Sequence, residues 1–181
     1  MLDFSKNFFE LFGLPIAYVL DTEQLSERYR ELQRVVHPDR YANGTDQERR
    51  LSLQGATRIN EAYQVLKDPI ERARYLLTLN GIEMDAQRES TKDTAFLMEQ
   101  LELREALEES RHATDPYAAI AGLMEKINRR INGLVGQMAV QFEMPTPDQL
   151  EAAREILRKM QFLQKFRYDA EALESELDQT S

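Results

Sequence analysis

The chain has no cysteine, which excludes a disulfide framework and any thiolate chemistry. Histidine is nearly as scarce. His37 and His112 lie far apart and in different predicted elements, whereas a structural zinc site wants four Cys or His ligands, so no metal and no cofactor are expected. Long apolar runs are missing too: nothing approaches the ~20 residues needed to cross a bilayer. The opening Met1-Leu2-Asp3-Phe4 has neither the basic start nor the apolar stretch of a signal peptide, and Asp3 speaks against a transit peptide. A cytosolic, bacterial protein is expected. Positive charge is in deficit, with 23 Lys+Arg against 32 Asp+Glu and a net charge of -9, and that argues against the basic stripe of a nucleic-acid binder.

What is present suffices for a folded, soluble body of one or two domains: 181 residues, 42% hydrophobic and 30% charged. The charge is unevenly spread. Residues 1–80 carry 11 Lys+Arg and 12 Asp+Glu, a net of -1, while residues 81–181 carry 12 and 20, a net of -8. Two regions of different electrostatic character suggest two different partners.

In the first region, Ser5 to Phe12 reads as a short helix closed by Gly13, with Pro15 beyond. Asp21 caps a second helix, with Gln24 at the capping-box position. Leu25, Tyr29, Leu32 and Val36 share its core face, and Arg30, Arg34 and His37 share the opposite one. The string His37-Pro38-Asp39-Arg40 follows. Proline ends the helix near His37 and leaves an imidazole and a carboxylate on a loop between two helices, where binding groups tend to sit. Arg30 and Arg34 are readable as a solvated surface paired with Glu27 and Glu31, but their alignment with His37 favours a basic docking face.

Beyond the loop Tyr41-Ala42-Asn43-Gly44, Thr45 and Glu48 form another capping box for a third helix running to about Lys67, with Ala56, Ile59, Tyr63 and Leu66 as its buried stripe. Gly55 and Ala56 are small enough for a close antiparallel hairpin. Asp68-Pro69-Ile70-Glu71 opens a fourth helix that stops at Asn80-Gly81.

Residues 81–92 are polar and irregular and are assigned as a linker. The remainder, 93–181, reads as three helices in a small antiparallel bundle. Asp115-Pro116 starts the middle one, whose Tyr117, Ile120, Met124, Ile127, Ile131, Leu134 and Met138 recur at three- and four-residue steps. Gly122, Gly133 and Gly136 weaken it, which close packing at these positions would explain. Thr146-Pro147-Asp148 caps a last helix to about Leu177, with Ala153, Ile156, Met160 and Leu163 on one face.

The helix at 93–110 is apolar on two sides. Phe96, Leu103 and Leu107 cluster on one, while Leu97, Met98 and Leu101 cluster well away, flanked by Glu102, Glu105 and Glu109. A broad core face accounts for both clusters, but the acidic fringe favours an exposed docking patch.

The His37-Pro38-Asp39 string between two helices resembles the J domain of DnaJ-type co-chaperones, whose signature it is. The whole chain resembles the HscB family, the J-proteins of bacterial iron–sulfur cluster assembly. Carrying that likeness are Phe8-Phe9-Glu10-Leu11-Phe12-Gly13-Leu14-Pro15, Arg72-Ala73-Arg74-Tyr75-Leu76-Leu77 and, most specifically, the segment from Asp93 to Glu105. Arg40 departs from the lysine that most J domains place there, with the charge kept.

The resemblance implies an all-α protein: a J domain at 1–80, the linker at 81–92 and a three-helix bundle at 93–181. It also implies a mechanism. His37, Pro38 and Asp39 would stimulate a DnaK-class ATPase, the specialised HscA, with Arg30, Arg34 and Arg40 steering onto it. By position in the family, Leu97, Met98, Leu101, Glu102, Glu105, Glu109 and Phe162 would bind the cluster scaffold IscU. Phe162 fits independently, lying off the face of Ile156, Met160 and Leu163. A chain without cysteine is ill-equipped to hold the cluster itself.

Two other readings stand beside this one. A general J-protein serving DnaK would normally carry a Gly/Phe-rich linker and a cysteine-rich zinc module, and neither is present. An enzyme using His37 and Asp39 as an acid–base pair lacks a nucleophile or second catalytic group to accompany them.

Overall fold

Short-range side-chain chemistry sets the helix boundaries. A computed structural model describes residue 3 and residues 5–84 and 93–180, and every regular element among them is helical. The chain divides into two compact units, residues 1–81 and 82–181. Of the sequence-assigned linker, residues 85–92 lie outside the described residues.

The first unit holds α1 (Phe8–Phe12), α2 (Thr22–Val36), a 3-10 turn (Pro38–Tyr41), α3 (Asp46–Lys67) and α4 (Pro69–Leu79). Helix α1 begins later than the sequence suggests. Ser5 turns back onto Asp3 through both its amide and its hydroxyl, and Asn7 instead caps the helix, in a reciprocal box with Glu10. Gly13 ends it at φ 64°, a left-handed conformation that suits glycine. The other expected caps are in place, although Gln24 closes no box with Asp21: Asp21 accepts from the Glu23 and Gln24 amides, Thr45 and Glu48 bond reciprocally, and Asp68 accepts from Ile70 and Glu71.

The core of this unit joins Phe9 and Phe12 of α1 to Leu25, Ile59, Leu66 and Leu77 of the longer helices. On α3 the buried stripe is Ser52, Gly55, Ile59, Ala62 and Leu66. The expected Ala56 and Tyr63 flank it, half-buried. Arg72 is buried as well. Its guanidinium lies 5.1 Å from the Tyr18 ring centroid and donates to the Leu66 carbonyl at 2.6 Å. Burial pushes the Tyr18 hydroxyl up to about 12.

The second unit is α5 (Thr94–Arg111), α6 (Pro116–Glu143) and α7 (Pro147–Thr180). Its core is a seam of Ile120, Leu123, Ile127, Ile131, Leu134 and Met138 from α6 against Ala153, Leu157, Met160, Leu163, Phe166 and Ala170 from α7. The sequence pattern missed Leu123 and placed Tyr117 in the seam. Tyr117 is exposed and donates its hydroxyl to Asp178 at 2.9 Å.

The α6 glycines do not serve close packing. A Cβ at Gly122, Gly133 or Gly136 would meet nothing within 4 Å. They are exposed, and their conformational cost goes uncompensated. Gly133→Ala combined with Gly136→Ala is therefore expected to raise the unfolding free energy by about 1–2 kcal/mol, measured by urea denaturation of the intact protein.

Candidate functional site

Two surfaces stand out, one on each unit. The first grows from the end of α2. His37 leaves helical geometry at φ -58° and ψ 129°, as the residue before a proline must, and Pro38 opens the 3-10 turn. The Asp39 amide donates to His37 Nδ1 at 3.3 Å, and the Asp39 carboxylate lies 3.6 Å from the same nitrogen. With Nδ1 accepting, the ring proton of a neutral His37 sits on Nε2 and is free to donate outward. The tip is open to a partner: the side chains of His37 and Asp39 are 57% and 90% exposed.

Arg30, Gln33, Arg34, His37 and Arg40 line one shallow groove, so the structure brings together every basic residue singled out for this face. The pairing of the arginines with Glu27 and Glu31 does not occur: Glu31 bonds Arg28 at 3.0 Å, and among the described residues neither Arg30 nor Arg34 has an ion pair. Gln33 is the member the sequence reading passed over. It lies between Arg30 and His37 in sequence and donates to Tyr29 at 2.6 Å.

The second surface is the outer face of α5. Phe96 and Leu103 are buried against the bundle, with Leu107 half-buried, while Leu97, Met98 and Leu101 are 47%, 54% and 49% exposed. The two apolar clusters therefore have different fates, and the second is not core. Neighbouring glutamates behave differently from one another. Glu99 makes a two-pronged bond to Arg130 of α6, at 2.8 and 3.2 Å, and Glu108 faces His112 at 3.7 Å. Glu102, Glu105 and Glu109 are exposed and have no ion pair among the described residues. At the start of α5, Asp93 caps the helix and bonds Lys159 of α7, a contact that holds its carboxyl below the usual range. Asp93–Lys159 and Glu99–Arg130 thus fix the patch-bearing helix to both of its neighbours.

Phe162 takes a different place from the leucines. It is half-buried, edge-on to Phe96 at 5.6 Å and stacked on Phe166 at 5.9 Å, so it belongs to the seam between α5 and α7. Arg104 lies 6.0 Å from its ring centroid and lines a cleft with Phe162, Lys165 and Phe166. Seven residues after Leu97, Arg104 falls on nearly the same side of α5. Its spacing made it legible in the sequence, but it was not singled out there. Among the described residues no group of acidic or histidine side chains is arranged to hold a metal ion, and no helix is long and apolar enough to cross a membrane.

An exposed His-Pro-Asp turn between two antiparallel helices defines a J-domain protein, and residues 7–75 match the DnaJ domain family model. Residues 92–171 match the model described as the HSCB C-terminal oligomerisation domain. The chain is 46% identical to a co-chaperone protein HscB homolog of Shewanella halifaxensis, an alignment covering 94% of this chain and 98% of the relative. Its fold is similar to that of chaperone HscB from Vibrio cholerae, with a TM-score of 0.82, 41% identity, and 95% and 99% of the two chains covered. It is also similar to human co-chaperone protein HscB, with a TM-score of 0.84, 30% identity, and 94% and 83% covered. The chain belongs to the HscB family of co-chaperones, and its partner class is the Hsp70-type chaperone.

Proposed function

We propose that this cytoplasmic co-chaperone stimulates the ATPase of the specialised Hsp70 HscA and delivers the iron–sulfur cluster scaffold IscU to it. His37, Pro38 and Asp39 act on the ATPase, and Arg30, Arg34 and Arg40 draw in its acidic surface. Leu97, Met98 and Leu101, the open glutamates Glu102, Glu105 and Glu109, and Phe162 receive the scaffold. The observation that carries the reading is the pairing of two open faces of opposite charge on separate units: a basic groove beside the His-Pro-Asp turn and an apolar strip beside uncompensated glutamates on α5.

A steady-state ATPase titration of HscA with this protein, with and without IscU, tests it. The protein alone should raise turnover, and adding the scaffold should raise it beyond the sum of the separate effects. Equal or stronger stimulation of DnaK, with no affinity for IscU, would instead assign the chain to general J-protein duty.

A further inference from the structure

The last turn of α2 poses a hydrogen-bonding problem. In an unbroken helix each carbonyl accepts the amide four residues on. The Arg34 carbonyl would need the amide of residue 38, which is a proline and has none. The Val35 carbonyl would need the Asp39 amide, which goes to His37 Nδ1 at 3.3 Å. The Val36 carbonyl would need the Arg40 amide, which goes to the His37 carbonyl at 3.0 Å. Forming the His-Pro-Asp turn therefore strands three successive carbonyls.

Each is met by a side chain. Arg40 Nη1 donates to the Arg34 carbonyl at 3.3 Å, and the Tyr41 hydroxyl donates to the Val35 carbonyl at 3.3 Å. Ser52 Oγ donates to the Val36 carbonyl at 2.6 Å. Two of these donors belong to the turn itself. Ser52 comes from the facing helix α3 and is only 5% exposed. It ties the residue just before His37 to the scaffold, in a setting where an unmet carbonyl is costly.

We propose that Ser52 and Tyr41 are positioning residues for the His-Pro-Asp turn, their hydroxyls holding it against the end of α2 in the conformation that meets the ATPase. The inference rests on the J-domain reading above. Neither residue needs to touch the partner. Their loss lowers the fraction of molecules with the turn in place, and that reduces apparent affinity without altering the complex once formed.

The test uses the intact protein with a purified Hsp70-class ATPase. Ser52→Ala should raise the half-saturating concentration about three- to tenfold while leaving maximal stimulation unchanged. Tyr41→Phe, which removes only the hydroxyl, should act in the same direction. Amide exchange at Asp39 and Arg40 should quicken in both variants while the α4 amides stay protected, and Ser52→Thr, which keeps the donor, should restore both readouts. Should Ser52→Ala fail to fold, Tyr41→Phe carries the test by the same two measurements. Unchanged exchange at the turn, an unchanged half-saturating concentration, or a lowered maximum at constant half-saturation overturns the positioning role. His37→Gln run alongside separates the two levels. Intact stimulation there sinks the J-domain reading, whereas loss there with no response at Ser52 or Tyr41 sinks only this inference.

Discussion

Replacing His37 by glutamine is expected to abolish stimulation of the partner ATPase at every concentration tested, while thermal unfolding shifts by no more than about 0.5 kcal/mol. The fold should survive because the side chain is 57% exposed and anchors no core residue. Its one described backbone contact, the bond from the Asp39 amide at 3.3 Å, can be replaced by the glutamine carbonyl oxygen. What glutamine cannot reproduce is a flat ring fixed at one nitrogen and presenting a donor at the other. The loss should therefore appear in the maximum, unlike the affinity change expected at Ser52. A variant that folds normally and still stimulates HscA would remove the basis for assigning the turn to the ATPase.

On the proposed scaffold site, Leu97→Ala together with Leu101→Ala should weaken IscU binding roughly a hundredfold, the loss typical of truncating two apolar anchors of an interface. Circular dichroism should not change. Both side chains are about half exposed, 47% and 49%, so truncation leaves no internal cavity, and leucine-to-alanine changes on a helix face cost little propensity. Isothermal titration against the scaffold reads the affinity directly. Unfolding of the second unit, or undiminished binding, would show that α5 uses this face for something else.

Much of this was legible in the sequence because it depends on neighbours three or four residues apart. The boundaries of α3 and α4 follow from Thr45 with Glu48 and from Asp68 with Pro69, and the structure keeps both. The exposure of Leu97, Met98 and Leu101 was open on periodicity alone, since a three-helix bundle can use a broad apolar face. The glutamates beside them tipped the reading, and the structure agrees on exposure.

Other features depend on what another helix brings close. Ser52 reads as an unremarkable polar residue until α3 lies against the end of α2. Phe162 lies off the main stripe of α7, yet Phe96 and Phe166 draw it half inside. The α6 glycines suggested close approach, and only the surroundings of each Cα show open space. The start of α1 differs for a local reason: Ser5 folds back onto Asp3, and the Asn7 side chain accepts from the Glu10 amide as the cap.

The glutamates of α5 have one more consequence. Glu102, Glu105 and Glu109 stand three and four residues apart on one side of a helix with no ion pair among the described residues, and like charges at that spacing repel by about 0.2–0.5 kcal/mol per pair. The helix therefore carries a small internal tension, which a positively charged partner docking there would release. Dissolved salt masks the same repulsion. Rising ionic strength should accordingly steady the bundle and weaken the proposed docking of a cationic partner, two opposite responses from one row of side chains.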